Sequence, residues 1–212
     1  MEMTSFDRLW RSSQEEVWHE AVDDYWRLVK PTHMELERDL DQLDPERLQK
    51  MNAQEWFNFL HDEYFRWKYT AANRLATTTQ HLKRQAEEKG EEILLGFRDD
   101  IFEQAPIDLN KGLKAAMQIR GLGTAGASGL LSLIFPEKYG TVDQFIVKRL
   151  LEVSDLPELE AVKKMNPEGL TVKEGVLLIE IMQRKAVDLN QQFETDEWTP
   201  RKIDKAMWGY GR

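Results

Sequence analysis

Cysteine is absent from the 212 residues. That excludes a disulfide framework, a thiolate zinc site and a cysteine-held iron–sulfur cluster, and it is compatible with a reducing compartment. No uninterrupted apolar run approaches the length of a membrane span, and the opening MEMTSFDRLW lacks the pattern of a signal peptide. These absences set the expectation of a cytoplasmic protein without membrane partners. Histidine is scarce: His19, His33, His61 and His81 form no His-x₃-His pair. Glu16 and His19 carry the letters of a helical carboxylate–histidine ligand pair, but the second copy that a di-iron bundle requires is missing. No metal and no cofactor are therefore expected. There is no Walker loop, and Gly121-x-Gly123-x-x-Gly126 fits a dinucleotide fingerprint in letters only, since no strand precedes it.

Period-two alternation is nearly absent as well, whereas apolar residues recur at spacings of three and four. Hydrophobic residues make up 41% of the chain, so it can bury a core. The reading is an all-α protein. A first long segment, roughly Ser13 to Val29, places Val17, Ala21 and Leu28 near one face and ends before Pro31. Asp44-Pro45 and Thr199-Pro200 have the cap-plus-proline form of helix starts. Asn52 caps the aromatic segment that follows it, Gly90 stops a helix begun near Ala71, and Asp108 caps the helix entering the next motif. Thr171 and Glu174 form a capping box opening a long helix to about Gln192. The chain reads as a single unit, 1–212, of two packed helical lobes with a boundary near 105–107. Within it a hairpin motif spans 112–135 and C-terminal helices span 170–208.

Charge argues at first against nucleic acid, because 29 bases stand against 38 acids, a net of −9. The distribution is uneven. The acids concentrate in the first sixty residues. Residues 108–150 hold Lys111, Lys114, Arg120, Lys138, Lys148 and Arg149 against Asp108, Glu137 and Asp143, and the local field matters more than the sum. That basic stretch contains Arg120-Gly121-Leu122-Gly123-Thr124, a glycine turn between two helical segments. Twenty residues after Gly123 comes Asp143, in the setting Thr-Val-Asp. Such a turn directs backbone N–H groups outward, where they can hold a phosphate.

With Ile119, Gly121, Gly123, Ala127 and Val142-Asp143 in place, this stretch resembles the helix-hairpin-helix DNA glycosylase superfamily, which includes endonuclease III and 8-oxoguanine glycosylase. The resemblance covers about a fifth of the chain. It implies a glycosylase-like fold and a role in DNA repair by base excision. It assigns Arg120, Gly121, Leu122, Gly123 and Thr124 to a DNA-gripping hairpin and Asp143 to the catalytic acid, and it allows a structural monovalent cation at the hairpin carbonyls. The lyase-type members carry a nucleophilic lysine two residues after the second glycine. Ala125 stands there, which leaves monofunctional hydrolysis or a module that binds DNA or a protein partner without cleaving it. Asp143 also suits a plain helix N-cap.

Two further regions weigh as sites. Glu55 to Arg74 interleaves Trp56, Phe57, Phe59, Tyr64, Phe65, Trp67 and Tyr69 with bases. A core face explains most of these aromatics, and the turn holding Lys68, Tyr69, Asn73 and Arg74 is the part packing explains least, so it is the second site candidate. The terminal Trp208-Gly209-Tyr210-Gly211-Arg212 reads as an aromatic plug on the core.

Overall fold

The computed structural model describes residues 5–211, and among them the secondary structure is helical, without a strand. Arg212 of the terminal WGYGR run and residues 1–4 of MEMTSFDRLW lie outside the described residues. The chain begins with α1 (Ser5–Trp10) and α2 (Glu15–Leu28). A 3₁₀ turn, Pro31–His33, leads into α3 (Met34–Asp41) and α4 (Pro45–Lys50). Asp44 caps α4 by accepting from the Glu46 amide at 2.9 Å. Asn52 and Glu55 close a reciprocal capping box, at 3.0 and 2.8 Å, at the start of α5 (Ala53–Asn58). The same helix then widens into a π-helical stretch, Phe59–Tyr64, before resuming as α6 (Phe65–Lys68). After α7 (Ala72–Lys89) the chain turns at Gly90, whose φ of +80° is costly for any residue with a Cβ. α8 (Glu92–Gln104), α9 (Leu109–Ala116) and α10 (Thr124–Ile134) follow, α9 being capped by Asp108 on the Lys111 amide at 2.7 Å. The last helices are α11 (Gln144–Leu150), α12 (Leu159–Val162), α13 (Val172–Phe193) and α14 (Pro200–Gly209). Thr171 with Glu174, and Thr199, cap α13 and α14 as their sequences predict.

The chain divides into two units, a terminal one from Met1–Lys30 with Pro136–Arg212 and a central one from Pro31–Phe135. The divisions fall at prolines 31 and 136. Ala105-Pro106, where a boundary is expected from sequence, lies inside the central unit; Ala105 is buried, and its neighbours close a tight turn through Ile107 and Asp108 amides on the Gln104 carbonyl.

In the central unit Trp56, Phe59, Leu60, Tyr64 and Phe65 are buried, as are Leu82, Leu94, Ile101, Leu113 and most of α10. The aromatic run is therefore chiefly core. In the terminal unit α14 packs on α2, α13 and α11. The buried face of α2 is Trp18, Ala21 and Tyr25; Val17 is only half-buried and Leu28 is exposed. Of the expected face Ala21 is buried, Trp18 takes the place of Val17 and Leu28 falls outside; α14 meets α2 backbone to backbone at Gly209. A Cβ there would lie 2.3 Å from the Ala21 carbonyl oxygen and 2.5 Å from the Tyr25 nitrogen. Phe6 and Tyr210 meet edge-on, as do Tyr25 and Trp208, and both aromatics of the WGYGR run are half-buried.

Candidate nucleic-acid interface

The glycine turn forms between α9 and α10 in the central unit. Gly121 sits at φ +99°, a left-handed conformation that favours glycine, and a Cβ there would meet the Thr78 methyl at 2.7 Å and the Thr78 carbonyl at 3.1 Å. Leu122 is buried, and its amide closes the turn on the Ile119 carbonyl at 3.1 Å. Gly123 differs in kind. It is exposed, it is the N-cap of α10, its backbone is extended, and a Cβ on it would meet nothing within 4 Å. The first bond inside α10 runs from the Ala127 amide to the Gly123 carbonyl at 2.8 Å. The amides of Thr124, Ala125 and Gly126 thus form a helix start without a side-chain cap, the positive end of the α10 dipole.

The turn is braced from behind by α7 and by the end of α6. Gln85, buried, donates its Nε2 to the Gln118 carbonyl at 2.7 Å and accepts the Arg120 amide on Oε1 at 2.8 Å. Tyr69 donates its hydroxyl to the Gly121 carbonyl at 3.2 Å, and buried Tyr64 donates to the Gly126 carbonyl. α10 admits these tyrosines because it is small: a Cβ on Gly126 would strike the Tyr69 hydroxyl at 2.5 Å, and one on Gly129 the Tyr64 hydroxyl at 2.9 Å. The Lys68 stem lies along the same face, 3.2 Å from a Gly129 Cβ position. Three carbonyls of the 112–135 motif, those of Gln118, Gly121 and Gly126, therefore accept side-chain donors. Arg120, a residue expected on phosphate, pairs with Glu88 at 2.5 Å and must exchange that partner to reach one.

The second candidate turn proves to be part of this neighbourhood, a link that sequence reasoning missed. Tyr69 touches the hairpin directly. Asn73 and Arg74 are exposed at the start of α7, with the Asn73 side chain accepting the Arg74 amide at 2.9 Å. Burial pushes the Tyr69 hydroxyl up to about 12, and the Arg74 cation opposes that rise. The folded state therefore keeps Tyr69 protonated where an unfolded tyrosine has begun to ionise, near pH 10. The hydroxyl's contribution is complete below that point and is lost as pH climbs through the window up to about 12. Urea titrations stepped through this window are expected to show stability falling by about 2–3 kcal/mol more in the parent than in Tyr69→Phe. Parallel curves for the two proteins would mean that Tyr69 is not coupled to folding.

Asp143 lies in the terminal unit, at the start of α11. Its Oδ1 accepts the Phe145 amide at 2.8 Å and the Ile146 amide at 3.3 Å, so it is a helix N-cap as the alternative reading expects. Its Oδ2 makes no hydrogen bond among the described residues. The approach to Asp143 is fixed on both sides. Gly140 lies so close to Met182 and the Pro200 carbonyl that a Cβ would stand 2.7 Å from each. The Thr141 amide donates to buried Asp204 at 3.0 Å, and Arg201 holds the same Oδ2 at 2.8 Å. Val142 is fully buried. Of the nearby bases, Arg149 is committed to structure through the Met207 and Tyr210 carbonyls and Glu152, which reduces the basic surface expected for this stretch. Lys148 is exposed and sits 5.7 Å over the Phe145 ring.

An open cleft of about 620 Å³ lies elsewhere in the central unit, with the π-helical residues Phe59 and Glu63 facing Arg47, Lys50 and Asp44. Burial raises the Glu63 carboxyl above its ordinary range; Arg47 opposes this, and Asp39 and Asp62 add to it. Neither the hairpin nor Asp143 lines this cleft. Among the described residues no helix is long and apolar enough to cross a membrane. Comparison of the chain with protein-family models, curated proteins and solved structures finds no match.

Proposed function

We propose that this all-helical chain binds DNA through the Arg120–Thr124 hairpin and cleaves the N-glycosidic bond of a modified base, with Asp143 as the catalytic carboxylate. The observation that carries the proposal is the uncapped start of α10. Exposed Gly123 leaves the start of α10 without a side-chain cap, with Ala125 half-buried and Thr124 and Gly126 buried, while Thr78, Gln85 and Tyr69 hold the turn from behind. A phosphate there gains the helix dipole and backbone donors together. Arg74 and Lys68 bring positive charge to the same part of the central unit.

Glycosidic cleavage builds positive charge on the sugar, and a fixed carboxylate stabilises it. Asp143 supports this role because capping engages one of its oxygens and leaves the other for an oxocarbenium-like sugar or an attacking water. Ala125 offers no amine, so the reaction is hydrolysis and not Schiff-base lyase chemistry on that turn. A second reading, a module that grips DNA without cutting it, is favoured by the two cap bonds of Asp143, which justify the residue without catalysis.

Gly123→Val tests the hairpin. Its Cβ meets nothing within 4 Å and φ is −88°, so the variant is expected to fold with a loss of about 1 kcal/mol at the cap. Its branched side chain covers the uncapped helix start, and affinity for duplex DNA in a fluorescence titration is expected to drop by about tenfold or more. Equal affinity of the folded variant and the parent removes the hairpin from the functional account.

A further inference from the structure

The cleft of the central unit is independent of the hairpin and of Asp143. Its volume of about 620 Å³ lies in the range of small-molecule sites. Buried Phe59 and half-buried Met51 form its apolar lining. Most of the charges around them are already engaged. Asp44 and Glu55 each give a carboxylate oxygen to a helix cap, at 2.9 Å on the Glu46 amide and 2.8 Å on the Asn52 amide. Lys50 pairs with Glu46 at 3.4 Å. That leaves Arg47 on α4 and Glu63 on the π-helical stretch. Among the described residues neither side chain makes a hydrogen bond or an ion pair, yet the guanidinium is near enough to act on the carboxyl. Two opposite charges thus line one cleft without closing on each other.

The surroundings of Glu63 say which sign of ligand charge belongs beside it. Burial holds its carboxyl above the ordinary range, Asp39 and Asp62 add to the rise, and Arg47 opposes it. A half-buried carboxylate with two acidic neighbours is short of positive charge, and a cation brought into the cleft supplies it. The backbone is a separate observation. Phe59 and Glu63 both belong to the widened stretch, where the Phe65 amide reaches back to the Leu60 carbonyl, five residues away. Such turns are rare and occur frequently at functional sites. The reciprocal Asn52–Glu55 cap and the buried Trp56, Leu60 and Tyr64 fix this one in place.

We propose that the cleft binds a small zwitterion with an apolar body, the chemical class of an apolar amino acid. Glu63 takes the ammonium, Arg47 takes the carboxylate, and Phe59 with Met51 takes the apolar part.

The test is a titration of the isotope-labelled full chain with phenylalanine, followed through its amide chemical shifts. Phenylpropionate, which lacks the ammonium, and phenethylamine, which lacks the carboxylate, are titrated in parallel. Saturable shifts at Arg47, Phe59 and Glu63 are expected, with a dissociation constant of about 1 mM or below. Each half-molecule is expected to bind about tenfold or more weakly, as is phenylalanine to Glu63→Gln and to Arg47→Gln. Neither substituted side chain is bonded to the rest of the protein, so both variants should fold, and the half-molecule comparison needs no variant. Absence of saturable shifts in the cleft, phenylpropionate binding as tightly as phenylalanine, or equal affinity in parent and Glu63→Gln overturns the proposal. None of these outcomes touches the DNA reading.

Discussion

Asp143→Asn is expected to slow single-turnover base release by about two to three orders of magnitude while leaving the protein folded. Asparagine preserves what the cap needs, an oxygen accepting the Phe145 and Ile146 amides, and removes only the charge. The surroundings give the altered side chain little freedom to move, because Gly140 is wedged against Met182 and Thr141 is tied to Asp204. A panel of damaged-base duplexes should therefore separate chemistry from stability. Release at the parental rate would remove Asp143 from catalysis, and no release by the parent on any lesion would leave the binding module as the better account. The same assay has a second readout. Ala125 has no amine to form an imine, so under the proposed glycosylase reading borohydride should trap no covalent protein–DNA adduct through that segment. An adduct mapped to Lys68, Lys111 or Lys114 would show a bifunctional enzyme with its nucleophile elsewhere.

The largest effect on stability is expected from one methyl group. Gly209→Ala places a carbon 2.3 Å from the Ala21 carbonyl oxygen, 2.5 Å from the Tyr25 nitrogen and 3.0 Å from the Tyr25 Cα. All three obstacles are backbone, so no rotamer change relieves them and α14 must move away from α2. That separation loosens Ile203, Ala206 and Met207 together with Trp18 and Ala21, all buried. Overpacking ordinarily costs about 1–3 kcal/mol, and with backbone on both sides the loss should reach about 3 kcal/mol or more in urea melts. A change below about 1 kcal/mol would mean that the two helices separate easily and are not a rigid pair.

Helix starts were legible in the sequence because a cap is local. Asp44, Asn52, Asp108, Thr171 and Thr199 each accept an amide two or three residues away, so the letters alone contain the interaction. The glycine turn and the Asp143 cap were legible for the same reason. The Gln85 clamp on Arg120 was not, since 35 residues separate its partners and nothing in a polar α7 singles out that glutamine. On α2 the expected Ala21 is buried but Trp18 replaces Val17, because helical periodicity tolerates either and the backbone approach at Gly209 is not visible in the spacing. The π-helical widening at Phe59–Tyr64 occurs within an aromatic run whose spacing also fits an ordinary helix.

The discontinuity of the terminal unit has a consequence during synthesis. The central unit is contiguous and can be completed as soon as residue 135 has cleared the ribosome. The apolar face of α2 has to wait, because its helical cover, α14, is translated only after the whole central unit. Until α14 emerges, Trp18, Ala21 and Tyr25 are an uncovered stripe on the nascent chain. A stalled chain ending before Pro200 should keep that stripe open and bind a holdase chaperone, whereas a released full-length chain should withdraw it.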